Sequence, residues 1–334
     1  MGMRDYIAKR LFSTIITIFM VVTINFFLFR VMPANPIDIM INPMVGDERL
    51  TDEAREALIH DLGLDRPLWS QYLKYIKDML SGNFGYSFIH PRPVLGILSE
   101  RIVNTIILML AGNVLSILLS IVFGVVAAWK RGTKIDVSTM ISALTLSNMP
   151  MFWVGGILIL IFSVRLDMFP MFGTTTIGAT YPNVFAYIFD YFHHLFLPMI
   201  TMALINFGGL FLIMRSSLLD VFTEDYILTA KAIGFSNRTI IFNNALRNAL
   251  LPLITIVAIR LGFMISGSLL TETVFSWPGL GLAIYRAVIN RDYPVLQGSF
   301  FIITVLVVLS NFVADLIYGY ADPRVRIGAE TRGG

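Results

Sequence analysis

TIILMLAGNVLSILLSIVFGVVAAW, residues 105–129, contains no charged side chain. A helix needs about 20 predominantly apolar residues to cross the hydrocarbon core of a bilayer, so this run is long enough to span one. Five more stretches qualify, at 11–32, 137–164, 195–214, 250–274 and 299–320. The composition agrees with this reading. Of 334 residues, 56% are hydrophobic and 14% charged, against about 25% charged in an average soluble domain. Mean hydropathy is +0.74. These values exclude a soluble globular chain and a disordered one. Six long apolar runs predict an all-α membrane protein with six transmembrane helices. A barrel would instead show alternating segments of about ten residues. The first run is too long for a signal peptide and no small-x-small cleavage site follows it, so it reads as a retained helix. Cysteine is absent, which excludes disulfides, thiolate metal sites and cysteine nucleophiles.

The net charge of +3, from 25 basic and 22 acidic residues, is too small an excess to point to nucleic acid. Its placement is more informative. Thirteen basic residues fall in the short segments at one side of the spans, among them Arg4, Lys9, Arg10, Lys130, Arg131, Lys134, Arg215, Lys231, Arg238, Arg247 and Arg324. The other side holds eleven, seven of them in one long segment, and long segments translocate largely regardless of charge. Both termini are therefore expected in the cytoplasm of a cell-membrane protein. The chain divides into an N-terminus with its first span (1–32), an external cap (33–103), a membrane core (104–320) containing a cytoplasmic segment (216–250), and a cytoplasmic tail (321–334). Within the cap, Thr51 can start a helix that Gly63 ends, and Asp65 can cap a second with Pro67 in its first turn. Trp69, Leu73, Ile76 and Leu80 recur there at helical spacing. The external piece 165–194 is rich in Gly, Thr, Pro and aromatics and reads as turns, followed by an interfacial helix over 185–196.

The cytoplasmic segment is too ordered for a linker. It reads TEDYILTAKAIGFSNRTIIFNNALRNALLP, residues 223–252. Good helix formers run from Asp225 to Ile233, Gly234 can stop them, and Ser236 can cap a second helix behind the bend. Pro252 then falls near the start of the next span. Two short helices at a glycine bend form either a surface turn between spans or a rigid element on which a cytoplasmic partner docks.

Ala230, Gly234 and the closing Leu251-Pro252 resemble the EAA loop of ABC importer permeases. Leu228 stands where that family has its Glu, and Thr229 where it has the next Ala. Both departures, with the ALRNALLP ending, resemble the dipeptide/oligopeptide/nickel branch. Four further stretches resemble the same branch: LGLDRPLWSQYLKYIKDMLSGNFGYSF (62–88), RPVLGILSERIVNTIIL (92–108), TETVFSWPGLG (271–281) and YGYADPRVR (318–326). The resemblance implies a type I ABC importer permease fold, with a small helical extracellular cap between helices 1 and 2. It implies a second homologous permease subunit, two cytoplasmic ATP-binding subunits carrying ATP and Mg, and an extracellular solute-binding protein. Carried onto this chain, the coupling residues are Asp225, Thr229, Ala230, Lys231, Ala232, Gly234, Phe235 and Arg238. The solute of the branch is a dipeptide or longer peptide, and in other members nickel or an oligosaccharide.

Beyond the loop, Pro278, Gly279 and Gly281 interrupt the apolar run after span five. Irregular backbone at membrane depth occurs only where it is buried in protein or lines a cavity. Glu272, Trp277 and Pro278 are therefore candidates for an outer gate, the alternative being an interfacial turn. Arg260 lies within span five and Asp315 within span six, either as a pathway-lining charge pair or as a static structural one. The chain has no GxxxxGK[ST] loop, so ATP is expected on partners and not on this chain. No His falls in a span and no His cluster has ligand spacing, so neither a bound metal nor catalysis is expected. An ATP-independent secondary transporter is the alternative from another class. It commonly shows internal repeats with paired broken helices, and the sequence has no convincing repeat.

Overall fold

The computed structural model describes residues 3–31, 65–261 and 269–321. The predicted cap helix after Thr51, the glycine and serine positions 262–268 and the tail 322–334 lie outside the described residues. Twelve helices are described, with no strand beyond an isolated bridge between Tyr86 and Pro93. They are α1 (Met3–Val31), α2 (Leu68–Leu80), α3 (Val94–Trp129), α4 (Lys134–Asn148) and α5 (Met151–Leu158), which continues as a π-helical stretch over Ile159–Arg165. Then follow α6 (Val184–Val221), α7 (Asp225–Ala232) and α8 (Asn237–Thr239). A π-helical turn over Ile240–Ala245 joins α8 to α9 (Leu246–Leu261). The chain ends with α10 (Leu269–Val274), α11 (Leu280–Ile289) and α12 (Tyr293–Ala321).

Five helical stretches are long and apolar enough to span a membrane, and the bent pair 134–148 and 151–165 makes a sixth if its two parts are counted as one span. The run 137–164, read from sequence as one span, is broken in the structure. The two parts meet at 107°. Pro150 has no N–H to continue the ladder and pushes the preceding residue out of the helical region; Met149 accordingly sits at ψ 142. The piece at 185–196 is likewise no separate interfacial helix. Asn183 accepts from the Ala186 N–H at 2.9 Å and starts one helix of 38 residues that contains Pro198. Pro252, expected near the start of a span, lies inside α9.

The centre of the fold is α3 against α6. Small residues let them approach: a Cβ at Gly124 would stand 2.8 Å from Met214 Cγ. On its other side α6 meets α4 still more closely. A Cβ at Gly208 would collide with Ser147 Oγ and the Ala143 carbonyl, and the Gly208 N–H donates to Ser147 Oγ at 3.0 Å. Gly208→Ala should therefore force α4 off α6 and destabilise the protein by about 1–3 kcal/mol, the range for overpacking a tight contact. Gly156→Ala, where no atom lies within 4 Å of the added carbon, is the near-neutral control. Thermal unfolding of the two purified variants in detergent tests this; equal midpoints would refute the contact.

Helix α2 packs beside α1. Tyr72 OH lies 2.6 Å from Thr23 Oγ1, and Asn25 donates to Tyr75 OH at 2.8 Å. Burial pushes the Tyr75 phenol up to about 12, so it stays protonated across the physiological range. Two details of the predicted helix change. Pro67, not Asp65, stands at the N-cap, without a side-chain hydrogen bond. The stripe of Trp69, Leu73 and Leu80 is exposed, Trp69 by 68%, while Tyr72, Tyr75 and Met79 face inward.

In the connection before α6, the Asp190 carboxylate gathers the loop. It accepts from Thr176 N–H at 2.7 Å and from the Tyr181 hydroxyl at 2.5 Å. That hydrogen bond holds the Tyr181 phenol above its ordinary value.

Candidate functional site

Two regions hold the residues that the sequence marks out, at opposite ends of α3. Thr105 contacts one and Ala128 the other, 23 residues apart, or about 35 Å at 1.5 Å per residue.

At the Ala128 end the bend around Gly234 is capped on both sides and packed against the bundle. Asp225 sits in the first turn of α7, where a carboxylate suits the helix dipole. Gly234 takes φ +90; its N–H donates to Lys231 O at 3.0 Å and that of Phe235 to Ala230 O at 3.1 Å. This is a Schellman closure, which needs the left-handed residue that glycine supplies. Ser236 then caps α8, accepting from the Thr239 N–H at 3.2 Å. Both boundaries fall where the sequence places them.

The bend has two faces. Ile227, Ala230, Ile240, Ile241 and Ala245 are buried in a cluster with Met214 and Leu218 of α6, Val125 and Ala128 of α3, and Leu253 of α9. Asn248 also donates to Tyr226 OH at 2.8 Å, and Ser217 Oγ to Ala249 O at 2.9 Å. The opposite face presents Leu228, Ile233 and Phe235 to the outside, with Thr229, Lys231, Ala232 and Arg238 around them. Of the eight coupling residues taken from the resemblance, Ala230 is therefore a packing residue and the other seven are exposed. Thr229 Oγ1 donates to Asp225 O within its own helix, and the Lys231 ammonium lies 5.7 Å from the centre of the Phe222 ring. From sequence, Leu228 is marked only as the residue standing where the family has its Glu, and Ile233 only as the end of the first helix. For Leu228 the signal was present: it is a large apolar residue on the face that the Ile227–Ala230 spacing turns away from the bundle. Ile233, three residues after Ala230, would continue the buried stripe by spacing, and is exposed at the C-cap where the helix ends.

The same end holds a bidentate ion pair. Arg215 Nε donates to Asp136 Oδ1 at 2.7 Å and Nη2 to Oδ2 at 2.8 Å, while the Gly132 N–H donates to Oδ2 at 3.0 Å. It ties the start of α4 to the last turns of α6, directly before α7.

At the Thr105 end, residues 272–281 form a largely buried, hydrogen-bonded turn. Glu272 accepts from Thr105 Oγ1 at 2.8 Å and from the Leu282 N–H at 3.1 Å. Thr105 Oγ1 accepts in turn from the Leu280 N–H at 2.8 Å. Trp277 is enclosed and donates its indole N–H to Asn104 O at 3.0 Å; Asn104 Nδ2 donates to Pro278 O at 3.0 Å. Tyr191 of α6 stacks edge-on against Trp277 at 5.4 Å and donates to Asn104 Oδ1 at 3.1 Å. A Cβ at Gly279 would collide with the Glu272 carboxylate. Glu272, Trp277 and Pro278 thus converge, as one knot linking α3, α6 and α11. The side chains of Arg260 and Asp315 lie outside the described residues.

With this geometry in place, the comparisons with known proteins are specific. Residues 120–327 match the family model described as binding-protein-dependent transport system inner membrane component, and residues 3–109 match the model of its N-terminal part. An oligopeptide transport system permease protein, AppB of Bacillus subtilis, is 37% identical over 97% of this chain and 99% of its own length. A di/tripeptide permease protein, DppB of Pseudomonas aeruginosa, is 36% identical over the same shares. The dipeptide permease protein DppB of Escherichia coli K12 is 34% identical, again over 97% and 99%. A multi-pass helical bundle matched over nearly its full length by such permeases belongs to the family of inner membrane components of binding-protein-dependent transport systems.

Proposed function

We propose that the chain is one transmembrane half of an ATP-driven peptide importer. Di- or oligopeptides reach it from an external binding protein. A second, homologous permease completes the pathway, and two ATP-binding subunits, carrying ATP and Mg, dock on the bend at Gly234 from the cytoplasm. Peptide as the solute rests on the names of the relatives, each a peptide permease over nearly the whole chain. Both termini are cytoplasmic on the placement of the basic residues.

The observation that carries the docking role is the two-sided bend. Its inner face is built into the bases of α3, α6 and α9, and its outer face leaves Leu228, Ile233 and Phe235 uncovered. A force applied to such a rigid knob reaches the bundle without being absorbed by a loop, and a bistable bundle converts it into alternating access.

Leu228→Glu with Phe235→Glu tests the reading. Both side chains are exposed, so folding is retained, while the apolar contact to an ATPase subunit is lost. In proteoliposomes holding the complete transporter, ATP-driven tripeptide uptake should fall by about tenfold or more, as expected when central apolar contacts of an interface are removed. Unchanged uptake, or uptake that survives ATP depletion and follows an ion gradient, would overturn the reading.

A further inference from the structure

Helix α2 is apolar over more of its circumference than its packing in the chain uses. Tyr72 and Tyr75 meet α1, and Met79 is buried with Phe84, Val94 and Leu280. With 3.6 residues per turn, Trp69, Leu73 and Leu80 fall together on the adjoining arc. They are 68%, 57% and 70% exposed. Lys74, Gln71 and Asp78 occupy the remaining arc, and Lys77 borders the stripe. The helix thus has three sides: one against protein, one apolar and uncovered, one polar.

The contacts with α1 fix the depth of that uncovered side. Tyr72 OH bonds Thr23 and Tyr75 OH bonds Asn25. Thr23 and Asn25 lie six and four residues before Phe29, where the apolar span of α1 ends. At 1.5 Å per residue this is about 9 and 6 Å inside the end of the span. A helix lying in a membrane interface buries its apolar face by about 5–10 Å. The middle of α2 is held at that level by two hydrogen bonds.

The surface of α1 leads into the stripe. Ile24, Phe27 and Leu28 are exposed, as is most of the apolar length of α1. The Phe27 ring stacks on Tyr72 at 6.3 Å, and Trp69 is the i−3 neighbour of Tyr72 on α2. Tryptophan favours the boundary between acyl chains and headgroups. A lysine bordering such a stripe can lay its stem along the lipid and keep its ammonium at the phosphates.

We propose that Trp69, Leu73 and Leu80 seat α2 in the lipid interface at the Val31 end of α1, which is the outer leaflet on the orientation given above. The bilayer is then the third wall of α2, and Met79 carries that seat into the cluster at the start of α3 and α11.

The chain has no cysteine, so single nitroxide labels can be placed at Trp69→Cys, Leu73→Cys and Lys74→Cys. Ile16→Cys, exposed in the middle of α1, is the lipid reference. All four positions are exposed, so folding is retained. The complete transporter, cysteine-free in its other subunits, is reconstituted in phosphatidylcholine–phosphatidylglycerol vesicles, with and without its binding protein. Relaxation of each label by oxygen, which concentrates in lipid, is compared with relaxation by a neutral nickel chelate, which concentrates in water. The oxygen-to-nickel ratio should be highest at Ile16→Cys, intermediate at Trp69→Cys and Leu73→Cys, and lowest at Lys74→Cys. Binding protein should leave this order unchanged. Equal ratios at the three α2 positions would overturn the proposal, because the stripe would then face water. Weak relaxation by both reagents at Trp69→Cys and Leu73→Cys would also overturn it, because a protein surface, of the second permease or of the binding protein, would then cover the stripe.

Discussion

Asp136→Ala is expected to lower stability by about 2–4 kcal/mol, with loss of uptake at temperatures where the parent still works. Asp136 is 3% exposed, and its side chain meets Arg215 through two bonds of 2.7 and 2.8 Å. Removing the carboxylate strands a guanidinium that is 19% exposed at the side chain. Breaking a buried pair by deleting one partner costs about 3–5 kcal/mol; the partial exposure of Arg215 reduces that. The Gly132 N–H loses its acceptor as well. Asp136→Asn should be milder, since an amide oxygen can still accept. The double variant Asp136→Ala with Arg215→Met should recover part of the loss, because no unpaired charge is then left buried. Thermal unfolding in detergent of the parent, Asp136→Ala, Arg215→Met and the double variant measures the cycle. An Asp136→Ala protein as stable as its parent would mean that the pair contributes nothing net. The pair fixes the end of α6 from which α7 and the Gly234 bend project, so under the proposed docking role a loosened pair softens that element as well as the fold.

How far the fold was legible depends on the range of the forces involved. Apolar length marks a membrane helix locally, and the bend was readable because each of its signals is local. Asp225 opens α7, Gly234 closes it, and Ser236 caps the next turn within three residues. Pro150 was also a local signal, yet the uniform hydrophobicity of 137–164 hid it, since composition carries no direction. Periodicity located α2 but not its orientation. In a soluble protein the apolar stripe faces the core; beside a membrane, Trp69, Leu73 and Leu80 can face outward while hydroxyl-bearing Tyr72 and Tyr75 make the inner contacts. The long-range pairs were not legible at all. Asp136 meets Arg215 across 79 positions and Thr105 meets Glu272 across 167. No spacing rule reaches that far, so Glu272 was found only because it lay in a stretch where glycine and proline interrupt an apolar run.

Glu272→Leu is the second substitution with a large expected effect, again about 2–4 kcal/mol. The carboxylate is fully buried and gathers two donors, the Thr105 hydroxyl and the Leu282 N–H. Leu282 is the third residue of α11, and its N–H is one of the orphan donors at a helix start. With Thr105 accepting from the Leu280 N–H, Glu272 supplies the cap that α11 otherwise lacks, and its charge suits the dipole of that end. Leucine has similar bulk but no acceptor. Each buried donor left unpaired costs about 1–3 kcal/mol, and more where the lost acceptor was charged. Glu272→Gln retains shape and one acceptor oxygen and should cost less than half as much. The two variants separate packing from bonding, which thermal unfolding in detergent reads directly. Uptake separates structure from function: because Trp277 and Pro278 hang from the same knot through Asn104, peptide uptake should fall in Glu272→Leu even well below its unfolding temperature. Parental stability and uptake in that variant would show that the contacts of Trp277 and Asn104 hold the turn without the carboxylate.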